Sequence, residues 1–258
     1  MTKDPTETDA LLKELQEALN RNAELETLLE ECRRSEAGLR QCEEELQEAV
    51  RVKEVLVREV HHRVKNNLQV MSSLLRLQSR YAADETARQI LNDSQSRMQA
   101  MAVVHELLFE SEDLGTVDRG EYLSRIARHL YESHGVSPDR IALRIQAQHV
   151  GCTIETAVPL GLIVNELVSN CLEHAFPGER QGEITIATEK IREHEWEVIV
   201  SDNGVGLPKD LDAARSGTFG LYLVHALAGQ LRGGVELKRT GGLEVRIRFK
   251  EAEYRPRG

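Results

Sequence analysis

From Leu11 to Val60 a seam of positions returns alternately every four and every three residues: Leu11, Leu15, Ala18, Asn22, Leu25, Leu29, Cys32, Glu36, Leu39, Glu43, Leu46, Val50, Lys53, Val57 and Val60. Eleven of these fifteen positions are apolar, counting Cys, and the residues between them are rich in Glu, Arg and Gln. A 3.5-residue repeat sustained this long draws one seam along a helix and favours a coiled coil over a lone surface helix. Asn22 is the kind of seam residue that sets register and favours two strands, at some cost in stability. Glu36, Glu43 and Lys53 interrupt the seam, and Gly38 is a further soft point.

The seam runs in phase, without a linker, into REVHHRVKNNLQVMSSLL at Arg58–Leu75, a stretch free of Gly and Pro that one helix can carry. Val57, Val60, Val64, Leu68, Met71 and Leu75 make one apolar face. His61 lies on that face. His62 is two residues from both Val60 and Val64, so it points away, among Arg58, Lys65, Asn66 and Gln69. An exposed neutral imidazole can act as a nucleophile where an electrophile is delivered to it. Adjacent histidines taken alone fit an ordinary solvated face as well. The helix can run to about Arg80. Tyr81–Asp84 reads as a turn with Asp84 as N-cap. A second helix follows from Glu85 to about Glu110, with Ile90, Leu91, Met98, Met101, Val104, Leu107 and Leu108 inward. One such pair is a hairpin, and two hairpins make a four-helix bundle.

Ser111–Arg119 reads as a polar linker. Beyond it the pattern predicts helices at Gly120–Ser133, Val158–Ala175 and Gly220–Leu231. Strands are predicted at Ile141–Ala147, Glu183–Ile191, Trp196–Ser201, Gly234–Lys238 and Leu243–Phe249. Helices on one face of a mixed sheet give an α+β two-layer sandwich.

Three blocks in this half carry chemistry. PLGLIVNELVSNCLEH stacks Glu166 and Asn170 on one helix face, with Asn165 beside them, while Leu162, Ile163, Leu167 and Val168 define the buried side. An amide oxygen such as that of Asn170 is a hard ligand suited to Mg²⁺. VSDNGVGLP at 200–208 follows a strand; DNG alone is also a hairpin signal, but DxGxG ending in Leu-Pro is more specific. Gly217-Thr218-Phe219-Gly220-Leu221 sets two glycines at a helix start, leaving backbone N–H groups to hold phosphate oxygens. Gly241-Gly242 fits a plain hairpin turn at least as well as a phosphate contact.

HHRVKNNLQ and these blocks, in this order, resemble the sensor histidine kinases of two-component systems. The likeness is to the HWE/HisKA_2-like subgroup with an HRxKN phosphoacceptor helix and a GHKL-type ATPase domain, and it covers residues from about 50 to 250. It implies an N-terminal α-helical coiled coil and dimeric four-helix bundle followed by an α+β two-layer sandwich. The domains would be 1–50 (coiled coil or signal helix), 51–112 (dimerisation and histidine phosphotransfer hairpin) and 119–252 (ATP-binding domain). ATP and Mg²⁺ are the implied cofactors. By the resemblance Asn170 binds Mg²⁺, Asn165 is among the nucleotide-binding residues, and His174 lies near the sugar or phosphates. Asp202 accepts from the adenine amino group, Gly204 and Gly206 let the backbone approach the base, and Gly217, Gly220 and Leu221 belong to the phosphate-binding block. Residues 209–216 would be the lid. His62 would be the phosphoacceptor and Glu166 the group assisting its proton. Relatives commonly carry Lys where Glu173 stands, which puts that phosphate contact in doubt, and Leu243 replaces a frequent Thr.

The implied activity is autophosphorylation from Mg-ATP and transfer to an aspartate of a separate response regulator. A GHKL-type anti-sigma serine kinase would use the same ATP blocks but needs no histidine helix. A coiled-coil scaffold with a degenerate ATP domain finds its support in Glu173. The net charge of −10, of which residues 1–60 carry −7 from nine Lys/Arg and sixteen Asp/Glu, comes without a basic stripe and argues against nucleic acid. No apolar run approaches the roughly eighteen residues of a membrane span, and the polar start MTKDPTETDA is no signal peptide. Cys32, Cys42, Cys152 and Cys171 form no CxxC pair, which fits reduced thiols. These features predict a cytoplasmic protein, without membrane insertion, that forms a parallel homodimer.

Overall fold

The computed structural model describes residues 5–110, 116–207, 219–239 and 241–251. The Leu11 side chain, the expected lid at 209–216 and Gly217 lie outside the described set. Helix α1 spans Pro5–Tyr81. Its residues up to Leu56 belong to one compact unit, and Val57–Gly258 form a second. In the first unit the seam residues Leu15, Leu25, Leu29, Leu39, Leu46 and Val50 are exposed. Polar pairs one turn apart, such as Arg40–Glu36 at 2.7 Å, support the helix.

In the second unit α1 turns into α2, Glu85–Glu110. Asp84 caps α2 as its sequence suggests: its Oδ2 accepts the Ala87 N–H at 3.0 Å. Val57, Val64, Leu68 and Leu75 are partly covered, whereas Val60 and Met71 of the same stripe stay exposed, because one neighbouring helix shields only part of it. Ile90 departs from its expected inward position and is 59% exposed. Ala87 and Leu91, one turn apart, are the partly buried residues there, and Ile90 sits one residue out of phase with them.

The stretch read as a linker contains a strand, β1 (Thr116–Asp118), which pairs antiparallel with β3 (Gly151–Thr153). Val117 is buried there opposite buried Cys152, so packing orders what composition alone makes look like loop. Asp118 caps α3 (Arg119–Ser133), its Oδ1 accepting from Glu121 N at 2.7 Å. β2 (Ile141–Gln146) precedes β3. Helix α4 runs Ile154–Asn170, four residues earlier than its Pro159 suggests, because burial of Ala157 and Leu160 holds the segment helical. A π-helical turn, Cys171–Ala175, extends it. β4 (Gly182–Arg192), β5 (Glu195–Asp202), α5 (Phe219–Gln230), β6 (Gly234–Lys238) and β7 (Glu244–Lys250) complete the order.

The main sheet has strand order β2-β4-β5-β7-β6, with β2 and β4 parallel and the other pairs antiparallel. Alternation sorts its faces. Ile184, Ile186, Val198, Val200, Val245 and Ile247 are buried in the core shared with α3 and α4. On the other face Glu197 accepts from Arg246 at 3.0 Å and Arg248 at 2.7 Å, and Glu183 pairs with Arg144. This one-sided sheet with helices over it is the α+β two-layer sandwich that the sequence pattern predicts.

Arg119, at the start of α3, is fully buried. Its guanidinium lies 4.1 Å from the Trp196 ring centre and 5.6 Å from that of Phe249, and pairs with Glu251. A buried cation stacked on aromatics and paired is costly to truncate. Arg119→Ala should lower stability by about 3 kcal/mol, and Arg119→Lys should recover only part, since an ammonium cannot stack as a plane. Urea midpoints of the three proteins provide the check.

Candidate nucleotide pocket and phosphoacceptor helix

The floor of the pocket is α4 and its π-helical turn. An extra residue in a helix re-aims the side chains that follow, and Leu167, Asn170, Cys171, His174 and Ala175 all border one cavity of about 330 Å³. Val200 and Asp202 at the end of β5, Val205–Leu207 after it, Leu221 of α5, Leu243 just before β7 and Val245 within it complete the lining. The walls are largely apolar, with a few convergent polar groups, the composition of a site for a flat aromatic ligand.

Asp202 is held from two sides. Its Oδ1 accepts from Gly204 N at 2.8 Å, and its Oδ2 lies 3.5 Å from the Cys171 thiol. Burial, and then the Asp202 charge, push that thiol well above its ordinary range, so it stays protonated and donates. Leu243 O accepts from Asp202 N at 2.9 Å, tying the end of β5 to β7. Gly204 is needed for close approach, since a Cβ there would stand 2.2 Å from Ala175 O. Gly206 takes a φ of +68°, a left-handed conformation that glycine adopts readily.

Of the sequence-predicted residues, Asn170, His174, Asp202, Gly206 and Leu221 line this cavity. Gly204 is not among the lining residues but donates its N–H to Asp202, which is. A Cβ on Gly220 would be 3.7 Å from Asn170 Nδ2 and 2.9 Å from Glu166 Oε2, so the start of α5 faces both side chains. Asn165 and Glu166 are buried elsewhere on α4 and face α2. Cys171, Leu167, Val200, Leu207 and Val245 were not singled out from sequence, although 167, 170, 171 and 174 share a helix face and 200 and 202 share a strand face.

His62 is exposed on α1, its ring 5.5 Å from that of Phe109 and its Nδ1 3.4 Å from Asn66 Nδ2. His61 packs instead against α2, with its Nδ1 3.0 Å from His105 Nδ1. Burial lowers both pKa values, and at His105 the neighbouring His61 adds to this, so the pair disfavours two charges. Lys65 reaches Glu106 at 2.6 Å and fixes the two helices at this level.

Two family profiles match in tandem: Histidine kinase over residues 59–134, and Histidine kinase-, DNA gyrase B-, and HSP90-like ATPase over residues 155–253. The chain belongs to the sensor histidine kinases. It is 36% identical over 205 residues to the sensor histidine kinase PdtaS of Mycobacterium tuberculosis, covering 76% of this chain and 39% of that protein. To the blue-light-activated histidine kinase 2 of Erythrobacter litoralis it is 31% identical, over 71% of this chain and 53% of the relative. The chain thus spans about two-fifths to one-half of these curated relatives. The solved histidine kinase domain of Erythrobacter litoralis EL346 superposes with a TM-score of 0.59 at 29% identity, over 76% of this chain and 90% of that one. The serine-protein kinase RsbW of Listeria innocua is 32% identical over 111 residues, or 38% of this chain and 70% of that protein.

In this histidine kinase Glu173 does not line the cavity bordered by Asn170 and Asp202. It borders a separate polar cavity of about 370 Å³ with Gln89, Asp93, Ser96 and His134. Its Oε1 accepts from Gln89 at 3.1 Å and lies 3.5 Å from His134 Nε2. The bond to Glu173 raises His134 above the ordinary 6.5, with burial opposing and the Leu130 carbonyl assisting. Glu173 is held below 4.5, chiefly by the same bond. Asp93 faces them from α2, raised first by burial and then by Glu173. A raised imidazole contributes stability below its unfolded value and loses it as pH rises through the folded one. The destabilisation by His134→Ala should therefore be largest between 4.5 and 6.5 and shrink above that window, read from urea midpoints across a pH series.

Proposed function

We propose that this chain is an ATP-dependent protein-histidine kinase that phosphorylates its own His62 and passes the phosphoryl group to an aspartate of a separate response regulator. The observation that carries the reading is the pairing, within one chain, of an exposed imidazole on α1 with a cavity walled by Leu and Val and marked by Asp202 and Asn170. Adenine lies between the apolar walls, its amino group donating to Asp202. The phosphates run toward Asn170 and the N–H groups at the start of α5, where Gly220 leaves room. The Asn170 carboxamide is a hard, neutral donor that fits Mg²⁺ as one of few protein ligands. When bound, the ion neutralises charge on the β- and γ-phosphates.

In the transfer step a lone pair of the neutral His62 ring forms the N–P bond. The bond from the γ-phosphorus to the bridging oxygen breaks, and ADP leaves with that electron pair. Glu166 takes the proton released by the ring. Residues 1–50 serve as coiled coil or signal helix, 51–112 as dimerisation and phosphotransfer hairpin, and 119–252 as the ATP-binding domain. Exposed Val60, Val70, Met71, Leu74 and Leu77, with the coil seam before them, support a parallel homodimer. Among the described residues no helix is long and apolar enough to cross a membrane. A serine-kinase reading, favoured by the Listeria relative, accounts for 38% of the chain and leaves the histidine helix without a role.

Incubation with γ-labelled ATP and Mg²⁺ tests the proposal. Acid-labile, base-stable label should appear on the native chain, persist in His61→Ala, and vanish in His62→Ala and Asn170→Ala. Label surviving in His62→Ala would refute the phosphoacceptor assignment. ATP binding without any label would favour the scaffold.

A further inference from the structure

Helix α2 does more than complete the hairpin. Over its middle turns it lies against α4 and occupies two side chains of the nucleotide-binding helix. Arg97 Nε and Nη2 donate to the two oxygens of Glu166 at 2.8 and 2.9 Å, a bidentate fork. One residue earlier, Ser96 Oγ donates to Asn165 Oδ1 at 2.8 Å. The Arg97 guanidinium also lies 5.0 Å from the ring centre of Phe219, at the start of α5. Both members of the ion pair are largely withdrawn from water, with side chains 16% and 8% exposed.

The same helix records where His62 stands. His62 packs on Phe109, whereas Glu166 is bound to Arg97, twelve residues away along α2. At 1.5 Å per residue that is a separation of about 18 Å along the axis. A carboxylate accepting a proton from a ring must come within hydrogen-bond reach of it. In the arrangement described, Glu166 is both bound elsewhere and too far away.

We infer that Arg97 is a positioning residue that acts through Glu166: its fork holds the α4 carboxylate on α2, and phosphorylation of His62 requires this clamp to open. The inference rests on the assignment of Glu166 to proton removal. It holds whether the imidazole belongs to the same chain or to a second copy, because Glu166 must leave Arg97 in either case. The seam is balanced for release. Asp93 of α2 faces both Glu166 and Glu173, so two carboxylates, Glu166 and Asp93, share the Arg97 guanidinium, while Glu173 borders the neighbouring cavity with Asp93 and with His134, the residue that caps α3. Without Arg97 these like charges repel across the α2–α4 seam.

The test is the rate of His62 labelling in the full chain at saturating Mg-ATP, at pH 8. Arg97→Ala should raise the rate about fivefold or more, as expected when a dominant closed population is released, and leave the KM for ATP unchanged. Arg97→Lys, which keeps the charge but not the fork, should fall between the two. Ser96→Ala, which spares the ion pair, should move the rate in the same direction by less, and it covers the case in which Arg97→Ala fails to fold. A labelled native chain whose rate is unchanged or lowered in folded Arg97→Ala, or in Ser96→Ala where that variant must stand in, overturns the inference and leaves the kinase reading standing. Absence of label from every protein sinks both.

Discussion

A carboxylate buried on an apolar helix must find a cation or lose its charge, and that constraint shapes the second unit of this kinase. Helix α4 sends Leu160, Ile163, Val164, Leu167 and Val168 into the core, and Asn165 and Glu166 are carried under cover with them. An unpaired buried charge costs several kcal/mol. Arg97 supplies the partner from α2, and Ser96 satisfies the neighbouring amide. The helical hairpin of α1 and α2 is thus joined to the sandwich through the electrostatic needs of two motif residues, with Ala100, Val103 and Val104 of α2 adding apolar contact.

The pocket on the other side of α4 obeys a different rule. There the polar groups are few and each is held. Asp202 is fixed by a backbone N–H and a protonated thiol, and its strand is tied to β7 through Leu243. The π-helical turn matters because it changes phase at the point where α4 must serve both a buried core and an open cavity. Glu173 falls on the side facing α2 and α3. There it is part of the seam between layers, paired with Gln89 and His134.

Much of this was legible in the chain. The heptad seam, the Asp84 cap, the hairpin of α1 and α2 and the alternation that sorts Ile184, Ile186, Val198 and Val200 onto one sheet face are local patterns with fixed periods, 3.5, 3.6 or 2. The separation of His61 from His62 followed from the same helical phase. What escaped were features set by distant partners. Thr116–Asp118 looked like linker because its partner strand lies 35 residues on. Ile90 looked like core because apolarity alone does not say how wide a neighbour is. Arg119 looked like the end of the same linker, because Trp196, Phe249 and Glu251, which close around it, are distant in sequence.

By itself, then, the sequence determined the helices and the strands of the main sheet, which of the two histidines is exposed, and which blocks carry polar groups at the spacing of the family's motifs, since each of these depends on neighbours within a turn or two, whereas the short β1–β3 pair escaped it. The tertiary structure decided which polar group meets which. It sent Asn170 and Asp202 to one cavity, Glu166 and Asn165 to α2, and Glu173 to His134. The faces of α4 are visible in its pattern, but the charge that each face encounters is set by the packing of α2 and α3, whose contacts arise only when the layers come together.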